Sequence, residues 1–171
     1  DVTLLRSGET LDAIERAFDP IKYRQLTTAP AIEARVWTGP GLAPAGSASV
    51  SLMVHGAGYA IDGGYDDLRR EQIGDAAVDA LAELCPSVRD QIVGREVLTP
   101  VDLAADYRLS GGHIHHGEHA LDQLAFMRPS IECGRSATPI KGLFLGGSGS
   151  HPGGGIRCTP GVLAAKAVLA G

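Results

Sequence analysis

Glycine and proline place the tightest constraint on how this chain folds. The 171 residues include 23 glycines and 10 prolines, about a fifth of the chain, against roughly an eighth in average proteins. Proline breaks helix interiors, and glycine weakens both helices and strands. We therefore exclude a helical bundle and expect short elements joined by many loops.

The remaining composition indicates a folded, acidic protein. Hydrophobic residues make up 44% and charged residues 20%, which excludes a disordered chain. The formal net charge of -5 provides no general attraction to nucleic acid or to anionic membranes. No apolar run is long enough to span a bilayer, and no signal-peptide pattern is present. We expect a cytoplasmic protein with no membrane span that binds no nucleic acid.

Alternating side chains predict two neighbouring strands in the first half. Residues 31–37 and 49–55 each alternate apolar and polar residues, and a loop rich in glycine and proline joins them. An antiparallel pair is the simplest arrangement. The side chains predicted to face the core are Ile32, Ala34, Val36, Val50, Leu52 and Val54.

Three further segments of the first 110 residues have the periodicity of helices. Residues 10–18 form a short amphipathic helix with Thr10 as its cap, and residues 100–106 form another with proline in the first turn. Residues 66–84 are the strongest candidate, capped by an aspartate at 66 or 67, and residues 95–99 are a short strand candidate. The long helix has one apolar stripe, made of Ile73, Ala77, Ala80, Leu81 and Leu84.

The last thirty residues predict a strand, a glycine loop and a helix. Residues 142–145 are the strand, residues 146–155 the loop, and the helix begins with Thr159 as its cap and Pro160 at its first position. Glycine lets a backbone approach a ligand closely, and a helix start carries unpaired N–H groups and partial positive charge. The segment therefore suits an anionic or electron-rich group, although a tight crossover packed on other backbone explains the same composition.

Four histidines and one carboxylate lie close together before this segment. His113, His115, His116 and His119 flank Glu118, and both side-chain types are ordinary metal ligands. The HExxH spacing of zinc enzymes is absent, so we favour a polar loop that lines a cleft over a metal site. Cys158, one of three cysteines without a CxxC pair, is interpreted as a small buried residue, with a reactive or cofactor-attached thiol as the alternative.

Two motifs in the second half together resemble the phytoene dehydrogenase-like branch of FAD-dependent oxidoreductases. SGGHIHHGEHALDQLAFMRP precedes TPIKGLFLGGSGSHPGGGI, and upstream the strings AFDPIKY, GGYDD and REVLTPVDL extend the resemblance over nearly the whole chain. The chain is thereby identified as similar to the C-terminal portion of such an enzyme.

The resemblance implies an α+β fold in two parts. Residues 1–136 would be part of a substrate domain, with an antiparallel or mixed sheet, helices and the return segment, and residues 137–171 would be a strand, glycine loop and helix that complete an FAD-binding domain. The GxGxxG fingerprint that begins such a domain is not in this sequence. FAD binding would therefore need a missing N-terminal half, from the same gene product or a separate chain, and an exposed apolar face would pack against it or against a second copy.

The resemblance also assigns roles to residues. It implies hydride transfer from a small apolar substrate to flavin, with His116 and Glu118 in substrate orientation or proton transfer. A non-catalytic α+β binding or assembly module that has lost the cofactor is the alternative, and the chain alone is expected to be inactive. The residues implied in flavin contact are His151, Pro152, Gly153, Gly154, Gly155, Thr159, Pro160 and Gly161. No metal ligand is assigned.

Overall fold

The structure is a computed structural model that describes residues 2–155 and 157–170. These residues form two compact units that divide between Val101 and Asp102. In the described part of the chain the fold is α+β, as predicted, with one three-stranded antiparallel sheet and five α-helices. The boundary predicted between residues 136 and 137 separates a substrate domain from an FAD-domain segment by function, not by compactness. That boundary stays a prediction.

The sheet of the first unit has the order β1-β2-β3. The strands are β1 (Val2–Arg6), β2 (Ala31–Trp37) and β3 (Ser49–His55), and both pairings are antiparallel. The two predicted strands are confirmed with the predicted bounds. The first strand was not predicted, because the adjacent leucines Leu4 and Leu5 interrupt the alternation in the short sequence VTLLR.

One helix covers a face of this sheet and forms the core of the first unit. Helix α2 (Asp67–Leu84) begins after Asp66, whose carboxylate accepts a hydrogen bond from the Arg69 N–H at 2.8 Å, and it ends before Pro86. The core cluster joins the helix to the middle of the sheet. Its buried members are Ile32, Ala34, Ala80 and Leu81, and Leu5, Leu52, Val54 and Val88 pack around them.

Two side chains that were predicted to face the core are exposed. Val50 and Leu84 are each 42% exposed to solvent. Val50 lies beyond Leu52 on its strand, and Leu84 is the last residue of α2, so both fall outside the ends of the core cluster. Periodicity assigned them the correct face but gave no information on where the packed layer ends.

The first helix, α1 (Leu11–Lys22), begins where the sequence predicted. The Thr10 hydroxyl accepts a hydrogen bond from the Ala13 N–H at 3.2 Å. The helix continues past the predicted end at Phe18. The apolar side of this amphipathic helix does not pack into a core in the described part of the chain. Leu11 is 84% exposed, and Ala17 is the only residue of the helix that is buried.

Residues 95–99 do not form the predicted strand. Arg70 donates a hydrogen bond to the Val97 carbonyl oxygen at 2.8 Å, and the Arg95 guanidinium pairs with Glu71 and Asp75. Side chains of α2 therefore anchor this segment, and its backbone is not part of the sheet. The predicted helix after it is confirmed as α4 (Pro100–Tyr107), and a short helix, α3 (Val88–Gln91), precedes it.

The second unit is built mainly from loops and single 3-10 turns, with α5 (Thr159–Ala170) at its end. Residues 142–145 do not form the predicted strand: their one β-bridge joins Phe144 to Ala137, and in the described residues no sheet strand flanks them. Thr159 is the first residue of α5, and its hydroxyl donates to the carbonyl oxygen of Arg157 at 3.3 Å. A completed FAD-binding domain thus stays a prediction.

None of the described helices combines the length and the apolar character needed to cross a membrane.

Truncation of the two leucines at the end of α2 should have different effects on the free energy of unfolding. Leu81 is 4% exposed, and Leu81→Ala should lower the free energy of unfolding by about 2–5 kcal/mol because it leaves a cavity. Leu84→Ala, on the same helix, should cost about 1 kcal/mol or less. Urea denaturation followed by circular dichroism measures both changes, and equal losses would contradict this placement of the core.

Candidate functional site

Two loops of the second unit meet and border an open cleft. The histidine loop is residues 113–119, and the glycine loop is residues 146–155. A Cβ on Gly149 would lie 3.4 Å from the His116 Cβ, and a Cβ on Gly154 would lie 2.9 Å from the His119 ring. The cleft has a volume of about 410 Å³ and is lined by His115, His119, Pro152, Gly153, Gly154, Gly155, Arg157 and Thr159.

A buried arginine holds the histidine loop in place. Arg128 is 1% exposed, and its Nη2 donates to the carbonyl oxygen of His115 at 2.7 Å, with longer contacts to those of His116 at 3.4 Å and Gly117 at 3.3 Å. Its Nη1 donates to the Glu118 carbonyl oxygen at 3.1 Å. One side chain thus gathers four successive carbonyl groups, which fixes the curvature of the loop.

The glycine loop packs directly against this arginine. Gly153 is buried with a φ of +80°, and a Cβ there would lie 2.7 Å from the Arg128 Nε and 2.8 Å from the His119 Nε2. No side chain fits at that position, and the backbone conformation itself favours glycine. Close approach of the two loops therefore depends on glycine at 153.

The cleft has basic and neutral polar walls. Among the described residues that line it, none carries a carboxylate, while Arg157 and two histidines are present. The rings of His113 and His115 lie 5.9 Å apart, and those of His115 and His119 lie 6.4 Å apart. Burial lowers the pKa of His113 below its usual value of 6.5, and the nearby His115 and Arg128 lower this pKa further. This electrostatic pattern suits an electron-rich or anionic group.

Most of the residues that the resemblance assigned to flavin contact lie together. Pro152, Thr159 and the three glycines at 153–155 line the cleft. His151 lies in the same loop, and its Nδ1 is buried without a hydrogen-bond partner among the described residues. Pro160 is buried, and a Cβ on Gly161 would lie 3.7 Å from the Gly146 carbonyl oxygen, so these two residues support the base of the glycine loop.

The two residues predicted to be catalytic lie beside the cleft. His116 and Glu118 have exposed side chains, and neither belongs to the described residues that line the cleft. Their backbone carbonyls accept hydrogen bonds from Arg128. The neighbouring His115 and His119 line the cleft instead. A catalytic role for His116 and Glu118 stays a prediction.

Sequence reasoning did not single out Arg128 and misjudged Cys158. An arginine in the apolar run AFMRP, inside one of the two resembling motifs, was the available signal for a buried charge.

Cys158 is exposed and not a buried residue as predicted, and its φ of +54° is the left-handed conformation that glycine adopts most readily. Among the described residues, no three His, Cys, Asp or Glu side chains are arranged to hold a metal ion.

The α+β fold and this cleft belong to a chain whose relatives are oxidoreductases. It is 36% identical to pyridine nucleotide-disulfide oxidoreductase domain-containing protein 2 of Rattus norvegicus over 160 residues, which is 91% of the chain and 28% of that relative. It is 31% identical to a phytoene desaturase (lycopene-forming) of Pseudescherichia vulneris over 137 residues, 78% of the chain and 26% of the relative. It is 36% identical to a phytoene desaturase (lycopene-forming) of Pantoea ananas over 86 residues, 50% of the chain and 16% of the relative.

These matches confirm the resemblance predicted from the motifs. The chain spans 28% of the length of the first relative, and the match supports its identification with the C-terminal portion of an oxidoreductase. No family model matches the chain, and no solved structure gives a significant match.

A methyl group added at the loop contact should destabilise the second unit. Gly153→Ala places a Cβ against Arg128 and His119 in a left-handed backbone, so we expect the free energy of unfolding to fall by about 1–3 kcal/mol. Gly147→Ala is the matched control, because nothing lies within 4 Å of its added Cβ. Thermal denaturation of both variants measures the difference, and an unchanged midpoint for Gly153→Ala would refute the tight contact.

The lowered pKa of His113 makes a pH-dependent contribution to stability. Between its folded pKa and 6.5, the unfolded state binds more protons, so this contribution is fully present above about pH 6.5 and is lost as pH falls through the folded pKa. His113→Asn keeps an acceptor for the His115 N–H but cannot titrate. Wild type should therefore lose more unfolding free energy than His113→Asn between about pH 7.5 and 5.5. Equal losses of unfolding free energy in wild type and His113→Asn, measured by urea denaturation, would show that the His113 pKa is the same in the folded and unfolded states.

Proposed function

We propose that the chain is the C-terminal part of an FAD-dependent oxidoreductase and that its cleft faces the flavin. The observation that carries the proposal is the cleft itself, where three consecutive glycines, the start of α5 and a set of basic side chains meet without a lining carboxylate among the described residues. The relationship to oxidoreductases over 91% of the chain agrees with it.

The residues of the cleft fit the flavin part of FAD. Gly153 and Gly154 let the glycine loop pack closely on the histidine loop, whereas a Cβ on Gly155 would come no nearer than 3.8 Å to the Arg157 side chain, so a flat ring system has room to approach the backbone at Gly155. Negative charge develops on a flavin as it is reduced, and Arg157 together with the partial positive charge at the start of α5 favours such charge. Hydride acceptance is the chemistry that bound FAD supplies.

The chain's own side chains would orient the substrate. His115 and His119 line the cleft, and His116 and Glu118 lie beside it, so these four are the groups available to hold a substrate or to move a proton. We propose a small apolar substrate of the dehydrogenase or desaturase type and a cytoplasmic location. The alternative is a non-catalytic α+β binding or assembly module that has lost the cofactor.

Exposed apolar side chains support a partner that completes the FAD-binding domain. In the described residues, Leu11 on α1 retains 84% of its exposure, Leu121 retains 83%, and Leu169 on α5 retains 87%. Side chains this apolar and this exposed are ones that a binding partner could cover. We propose that an N-terminal half, as the same gene product or a separate chain, covers some of these side chains. Self-association would cover them in the alternative function.

The proposal is tested by flavin retention. The chain should be purified alone and together with the polypeptide encoded directly upstream, and the visible spectrum recorded. We expect a flavin absorption band only in the combined sample, FAD in the supernatant after denaturation, and loss of the band in Gly153→Ala but not in Gly147→Ala. A colourless combined sample that releases no FAD would overturn the proposal and favour the non-catalytic module.

A further inference from the structure

We propose that Arg128 is a positioning residue of the cleft: it ties the histidine loop to the glycine loop and places an unneutralised positive charge behind Gly153, next to the group that the cleft binds. The inference rests on the proposed function for the identity of that group, which is FAD.

The first part of the argument is the geometry of the guanidinium. Its two terminal nitrogens contact the carbonyl oxygens of residues 115–118, at 2.7 to 3.4 Å. The planar, fork-shaped guanidinium is the side chain that can serve several acceptors at fixed angles. The shortest of these contacts is made to the carbonyl of His115, a residue that also lines the cleft. The position of this histidine in the cleft wall therefore depends on Arg128.

The second part is the remaining N–H group, on Nε. The Arg128 Nε is buried and has no hydrogen-bond partner among the described residues, and it lies where Gly153 passes closest. A purely structural arginine would be expected to use all its donors, because an unpaired buried donor costs free energy. This donor instead lies next to Gly153, which has no side chain that could come between the donor and the cleft.

The third part is the charge. Arg128 donates to neutral carbonyl oxygens, and none of the ion pairs found among the described residues includes it. A buried charge without a counter-charge is costly, and its field is weakly screened. The Gly153 backbone lies between this charge and the cleft. An electron-rich ligand there would be stabilised, and more so after it gains negative charge.

Two substitutions test the charge of Arg128 and the shape of its guanidinium separately. Arg128→Lys keeps the charge but loses the fork, and Arg128→Gln keeps an amide donor but loses the charge. Arg135→Gln is the control, since Arg135 is an exposed arginine of the same unit. If Arg128→Gln does not fold, Arg128→Met provides the uncharged variant.

Three quantities are measured for each variant. They are the FAD dissociation constant and the midpoint reduction potential of the bound flavin, both for the chain with its upstream polypeptide, and the pKa of His113 by NMR for the chain alone. We expect Arg128→Gln to weaken FAD binding by about tenfold or more, to lower the potential and to raise the His113 pKa. Arg128→Lys should keep the potential and the His113 pKa near wild type, and Arg135→Gln should change none of the three.

Each alternative has its own outcome. Equal potentials in Arg128→Lys and Arg128→Gln would overturn the charge role, and unchanged FAD affinity in Arg128→Gln would overturn the positioning role. If wild type binds no FAD, the proposed function fails. The His113 pKa then still decides whether Arg128 supplies charge to this site, because that measurement needs no cofactor.

Discussion

The second unit depends on the contact between one buried guanidinium and four consecutive carbonyl groups. This unit has little regular secondary structure to organise it, since residues 110–133 form only isolated 3-10 turns. Arg128 supplies the order that a sheet or helix would otherwise supply, by satisfying carbonyls that loops commonly leave to water. Because the glycine loop packs on the same side chain, both walls of the cleft share one support. A change at this position therefore acts on the whole cleft.

The first unit is stabilised in a different way. Its core is a helix on an antiparallel sheet, in which Ala34 and Leu81 are buried by apolar packing alone. The sheet and α2 thus form a conventional scaffold, whereas the apolar stripe of α1 remains exposed. The contrast is consistent with a chain that covers about a quarter of the length of its relatives, because part of its apolar surface is then available to the rest of such a protein.

The elements that sequence alone predicted are those with local signals. Strands β2 and β3 alternate along their length, and α2 has a cap, a stripe and a proline stop, so their bounds were predicted closely. Segments 95–99 and 142–145 have strand composition, but pairing depends on a neighbour that no local pattern reveals, and neither joins a sheet. For the site, the glycine loop could be recognised from its composition. The apolar run around Arg128 indicated a buried charge, but its role could not be predicted, because the carbonyl groups that it contacts are fixed only by the fold.

The central claim is that the histidine loop and the glycine loop form one cofactor-facing surface. Hydrogen-deuterium exchange of the chain assembled with its upstream polypeptide, measured with and without added FAD, tests it directly. The account predicts that FAD protects residues 113–119 and residues 146–155 together. Protection of neither segment, or protection confined to the upstream polypeptide, would contradict the account.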